Sequence, residues 1–77
     1  MNTGYTLDVK RLGHAERENI IFSSLEKLEQ GQTMRLILEF NPVPLVYLLK
    51  AGNDFDVAYE KEGPDEWILS VKKIAER

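Results

Sequence analysis

The spacing of apolar and polar residues changes repeatedly along this chain, and each change marks the border of an element. Leu7-Asp8-Val9-Lys10 alternates apolar with polar, which predicts a short half-buried strand over residues 6–11. Gly13 breaks that alternation. Ile21, Leu25 and Leu28 then recur at four- and three-residue spacing, which predicts an amphipathic helix over residues 15–30. Glu16 and Glu18 fall in its first turn, where the helix dipole favours anions. Gly31 stands where a left-handed C-terminal cap is expected. Residues 33–40 alternate again, with Met34, Leu36, Leu38 and Phe40 on one strand face and Arg35, Ile37 and Glu39 on the other. Asn41-Pro42-Val43-Pro44 must turn, because proline continues neither element. A helix begins there, either at Pro42 under an Asn41 cap or at Pro44. Its apolar stripe of Leu45, Leu48 and Leu49 ends at Gly52. Phe55, Val57 and Tyr59 alternate with polar neighbours over residues 54–60, and Trp67, Leu69 and Val71 do so over residues 67–72. Between them, Gly63-Pro64-Asp65 reads as a hairpin turn. Residues 73–77 read as a ragged end.

The resulting order is βαβαββ. Each strand has one strongly apolar face and there are only two helices, so the economical arrangement is α+β in two layers. Both helices then pack on one face of a four-stranded mixed sheet. The other face should meet solvent with Asp8, Lys10, Arg35, Glu39, Asp56, Glu60, Ser70 and Lys72. A chain of 77 residues supports a single domain, here 1–77 with a core over about 6–72. Its apolar share of 43% and charged share of 30% are those of a globular protein rather than a disordered one.

Three compositional features narrow the chemistry. There is no cysteine, which excludes a disulfide framework, a thiolate metal site and a cysteine nucleophile together. The net charge is −3 with the basic residues scattered, so no nucleic-acid partner is expected. The longest apolar run, residues 42–49, is far short of the ~20 residues that span a bilayer, and Met1 to Tyr5 lacks the pattern of a signal peptide. A soluble, cytoplasmic protein with no membrane partner is the expectation.

The run Leu7-Asp8-Val9-Lys10, then Glu16-Arg17, Ile21-Phe22, Leu25, Leu28, Gly31, Leu36 and Asn-Pro-Val-Pro-Leu at 41–45, resembles the bacterial family called domain of unknown function 2249. The likeness continues through Tyr59, Gly63-Pro64 and Trp67. That family is related to the TusA-like (SirA-like) sulfur carriers, which implies the same two-layer fold and the strand order 1-2-4-3. Carriers of that type hold a persulfide on a Cys-Pro pair at the start of the first helix. Matching Leu7-Asp8 to their Leu-Asp brings His14-Ala15 to that position, with Glu16 at their following glutamate. Many members of the unknown-function family carry a histidine after Glu-Arg and an acidic-histidine pair before Pro-x-Pro. Glu18 and Phe40-Asn41 stand there instead, so the resemblance implies no histidine-held metal or haem in this chain.

In the expected fold both helices start beyond the C-terminal ends of parallel strands, where open α/β sheets bind ligands. His14, Glu16, Arg17, Asn41, Pro42 and Pro44 would line that edge. A small anion or a partner's carboxylate could sit there under an Arg17 clamp. The preferred reading of the same residues is that Glu16 and Asn41 cap their helices while Arg17 pairs with a surface acid. His14 is the only histidine, and no nucleophile stands at a recognisable offset from it, so it reads as a surface residue. Asp54 and Asp56 lack a calcium-loop glycine. Asp65-Glu66 and Glu60-Lys61-Glu62 read as solvating the hairpin tip, and Trp67 as packing. Ile37 and Ile68 sit oddly on the open face, where with Ala58 they could form a small interaction patch. No catalytic, metal or cofactor site is expected. The reading is a non-enzymatic binding or adaptor domain, monomeric or weakly dimeric, whose partner is another protein or a small anionic ligand. The alternative is a sulfur-metabolism accessory protein of the TusA-like type acting without its own thiol.

Overall fold

In a computed structural model that describes residues 4–74, the elements are β1 (Tyr5–Asp8), α1 (His14–Lys27), β2 (Thr33–Leu38), α2 (Val43–Ala51), β3 (Phe55–Glu62) and β4 (Trp67–Lys73). The four strands form one mixed sheet in the order β1-β2-β4-β3, as expected. β1 runs parallel to β2, and β4 is antiparallel to both β2 and β3. Register places Tyr5, Met34, Val71 and Val57 in one cross-sheet row and Leu7, Leu36, Leu69 and Tyr59 in the next. Those rows carry the core. Met34, Leu36, Leu69 and Val71 are fully buried, and Ile21, Leu25 and Leu28 join them with Val46 and Leu49 of α2. The two central strands are thus the most apolar on this face, and both helices cover it. No helix among the described residues is long and apolar enough to cross a membrane.

The boundaries differ from expectation in instructive places. β1 stops at Asp8 rather than Arg11, because the Asp8 carboxylate accepts the Lys10 N–H at 3.0 Å and turns the chain. Val9 still donates to Ile37 O at 3.0 Å and is fully buried. α1 begins at His14 and ends at Lys27, not Gln30. Leu28 leaves the helix in an extended conformation and is buried. Gly31 has the left-handed φ of 90° expected of it, but uses it in the following turn, where Gln32 N–H donates to Glu29 O. At the end of α2 Gly52 is right-handed, and the left-handed residue is Asn53, a type that tolerates φ 62°.

β2 ends at Leu38, so Phe40 does not continue its buried face and is 46% exposed. α2 starts at Val43, between the two expected positions, with Pro42 as N-cap and Pro44 in the first turn. The hairpin strands are each longer than expected, to Glu62 and Lys73. Of the ragged end expected for 73–77, Lys73 is in β4, and 75–77 lie outside the described residues.

A bulge between Tyr59 and Lys61 reverses the facing of β3 and brings Lys61 beside Ile68 on the open face. The charges there are paired rather than merely solvated. Glu66 accepts from Lys10 Nζ at 2.7 Å and from Lys61 Nζ at 3.2 Å, and Arg35 pairs with Glu60 at 2.8 Å.

The hairpin loop depends on Gly63, whose φ is 71°. A Cβ there would lie 2.9 Å from Cζ2 of Trp67, a ring that also stacks edge-on with Tyr59 at 6.0 Å. Gly63→Ala should therefore cost at least about 1–2 kcal/mol from the backbone conformation alone, with further loss from displacing the indole. Urea unfolding followed by Trp67 fluorescence measures it, and an unchanged midpoint would contradict this account of the loop.

Candidate functional site

The Arg17 side chain holds together the loops that precede the two helices. Its position one turn into α1 points it under the loop after β1, and the residue is only 9% exposed. Nη2 donates to Leu12 O at 3.0 Å and to the Glu39 carboxylate at 2.9 Å, with Lys10 O at a longer 3.5 Å. The guanidinium carbon lies 4.9 Å from the centre of the Phe40 ring, within reach of a cation–π attraction. Nε is buried with no hydrogen-bond partner. One side chain thus ties residues 10–12 to residues 39–40. A free anion clamp would need those donors, but Glu39 already occupies the best of them.

The remaining edge residues divide. His14 is the first residue of α1, with its side chain 86% exposed and Nε2 3.4 Å from the Glu18 carboxylate. Glu16 is exposed on the same turn. The N-caps are Gly13 and Pro42, and neither supplies a side-chain capping bond. Asn41 does not cap α2; its Oδ1 accepts from the Tyr59 hydroxyl at 2.6 Å, while its carbonyl accepts from Val43 N–H. Pro42 is buried and Pro44 exposed.

His14, Arg17, Pro42 and Pro44 meet around a hollow of about 200 Å³, together with Glu18, Phe22, Phe40 and Leu48. Glu16 and Asn41 do not line it. A second hollow of about 340 Å³ continues beside it, between α1, α2 and the start of β3. Phe22 and Leu48 line both, so they form the waist of one groove. The groove walls are largely apolar, yet Phe22 is 40% and Leu48 57% exposed. Val43 and Tyr47 add to the exposed apolar surface of α2.

Sequence reasoning missed this surface. The available signal was α2 itself, whose VPLVYLLKA carries one charge and is apolar on all sides. A helix of that kind is normally buried all round, and one lying on the outside of a two-layer domain cannot be. Phe22, adjacent to the buried Ile21 but off its stripe, was a second sign.

On the open face, Ile37 and Ile68 are direct cross-strand partners and both are half-buried. Ala58 falls opposite Ser70, one row away, and Lys61 is the neighbour of Ile68 on β3. The Lys10–Glu66–Lys61 bridge runs past this pair.

The model of a family described as an uncharacterized conserved protein (DUF2249) matches residues 6–73, which include both helices and the whole groove lining. No curated protein and no solved structure matches the chain.

Replacing Arg17 by Met keeps most of the apolar stem and removes the donors. Loss of the bonds to Leu12 O and Glu39 should cost about 1–3 kcal/mol at neutral pH. An unaltered urea midpoint would show that the loops do not depend on the guanidinium.

Acid should reveal the same contact. The Glu39 carboxyl is held below its ordinary value by a hydrogen bond from its own backbone N–H, opposed by desolvation and reinforced by Arg17. Glu66 is lowered by its bonds from Lys10 and Lys61, and Lys10 is raised by its bond to Glu66. Lowered carboxyls stabilise the fold above their unfolded value of 4.5 and lose that contribution as pH falls through their folded values. Stability should thus fall below about pH 4.5. The gap between wild type and Arg17→Met should narrow over the same range. The raised Lys10 contributes below its unfolded 10.5 and is lost as pH climbs past its folded value. Urea midpoints between pH 3 and pH 7, about the range in which carboxylates titrate, read the acid limb.

Proposed function

This chain belongs to the uncharacterized conserved family DUF2249, and we propose that it works as a small non-enzymatic binding domain whose site is the groove between α1 and α2. The observation that carries this reading is the concentration of exposed apolar residues at that groove. Phe22, Phe40 and Leu48 line it and Val43 and Tyr47 lie on the adjoining helix, whereas large exposed apolar residues are not found on the open sheet face between β2 and β4. A contiguous apolar surface of this kind costs solubility unless it is used. The groove begins at the helix N-termini, where the Arg17 contacts keep both loops in place and provide a rigid rim.

A protein segment suits this groove better than a small anion. The walls are apolar, and the Arg17 guanidinium is engaged by Glu39. A hydroxyl nucleophile activated by His14 has no support, since the hollow beside it is lined by no serine, threonine or tyrosine. The sulfur-accessory reading, with its bacterial cytoplasmic setting, rests on the resemblance to TusA-like carriers. It has no thiol of this chain to act through.

Capture from a lysate of the source cell compares three baits. Leu48→Asp, at an exposed position, should lose the proteins held by the wild-type chain, and Ile68→Lys should keep them. Retention by Leu48→Asp with loss by Ile68→Lys would move the binding surface to the open sheet face and overturn this reading.

A further inference from the structure

The charge around the groove indicates what occupies it. α1 presents His14, Glu18, Phe22 and Glu26 toward α2, a row at the four-residue spacing that lines one face of a helix. The opposite wall, Pro44, Leu45, Leu48 and Leu49, carries no charge. Ile21, Leu25 and Leu38 are buried beneath. Asp54 and Lys73 close the far end. With Arg17 paired to Glu39, the acids that line the groove from α1 are Glu18, which stands 3.4 Å from His14 Nε2, and Glu26. The groove is therefore an apolar trough with an acidic rim. From His14 to Glu26 it follows α1 for about 18 Å at 1.5 Å per residue, the length of roughly three helical turns.

We propose, building on the binding role above, that the groove takes a short amphipathic helix of a partner protein bearing lysine or arginine along its flanks. Two apolar side chains of that helix enter the two hollows, one on each side of the Phe22–Leu48 waist. Volumes of about 200 and 340 Å³ each admit a leucine, methionine or phenylalanine side chain. The flanking bases face Glu18 and Glu26, which lie one turn to either side of Phe22 on α1. This is helix-in-groove recognition, with apolar anchors supplying affinity and rim charges supplying selection and register. An acidic helix would bring like charges together along the same row, a costly juxtaposition. A second copy of this chain is disfavoured by the same reasoning: its net charge is −3 and its own apolar helix α2 offers only Lys50.

The test uses the full chain with isotope-labelled amides and dye-labelled synthetic helical peptides of about 14 residues, four turns. One peptide has leucines on one face and lysines on its flanks; a second replaces the lysines with glutamates; a third replaces the leucines with serines. The lysine peptide should shift the amides of Phe22, Leu25, Leu48 and Leu49. The glutamate peptide should bind at least about tenfold more weakly, and the serine peptide should produce no shifts there. Glu18→Lys with Glu26→Lys should reverse the preference between the first two peptides. Added salt should weaken the lysine peptide selectively. Equal binding of the lysine and glutamate peptides, or unchanged preference in the double variant, would overturn the basic partner. The groove reading would survive if Leu48→Asp abolishes both. Absence of groove shifts with every peptide would overturn the helix-in-groove mode, while the bait comparison independently decides whether the groove binds at all. Groove amides that move with protein concentration alone would name a second copy as occupant and sink the proposal.

Discussion

The contact on which the arrangement of this domain depends is that between the Arg17 guanidinium and the two loops at the C-terminal ends of β1 and β2. A charged group that is nine-tenths buried has to find acceptors, and here they come from both loops: the Leu12 carbonyl on one side and the Glu39 carboxylate on the other. Glu39 meets the guanidinium from just beyond the end of β2 at Leu38. Phe40 then turns over the guanidinium rather than extending the buried row of Met34, Leu36 and Leu38. With both loops fixed, the starts of α1 and α2 are set, and the hollow between their first turns is bounded by Arg17, Phe40 and Pro42. The same interaction that completes the fold thus shapes one end of the groove.

The two faces of the sheet solve their surface problems differently. On the open face, cross-strand and loop charges are matched, with Lys10 and Lys61 sharing Glu66 and Arg35 meeting Glu60. The bulge in β3 makes this possible by bringing Lys61 to the side where Ile68 lies. Exposed pairs of this kind contribute little to stability. They do keep the Ile37–Ile68 pair within a charged surround. On the helical face the balance is reversed. The sheet side of each helix is satisfied by the core, but Phe22 and Leu48 face a gap that no element of the described chain fills. A protein of this size has few residues with which to cover such a gap, and aromatic and leucine side chains stay exposed along it.

Much of the fold was legible because local pattern and tertiary role agree. The stripe of Ile21, Leu25 and Leu28 is the buried stripe of α1, and the alternation of Met34, Leu36, Leu38 and of Leu69, Val71 is the buried face of the central strands. The places where reading by period failed are places where a long-range contact overrode it. Phe40 has the right parity for the core and leaves it for Arg17. Asn41 has the right chemistry for a cap and is taken by Tyr59, eighteen positions away. Of the residues named for the candidate site, His14, Arg17, Pro42 and Pro44 line one hollow, since strand direction alone dictates where both helices begin. The apolar groove leading away from that edge was not legible, since exposure of Phe22 and Leu48 depends on the distance between two helices.

The sequence by itself determined the element order, the split of each strand into an apolar and a polar face, and the absence of any thiol chemistry. These follow from period, turn residues and composition, which are local properties of the chain. The tertiary structure decided which polar groups are paired and which apolar groups are left uncovered. Whether Arg17 is a surface cation or a buried tie, and whether Leu48 is core or groove, depends on contacts between residues far apart in sequence, and no local spacing encodes the width of the space between two packed helices.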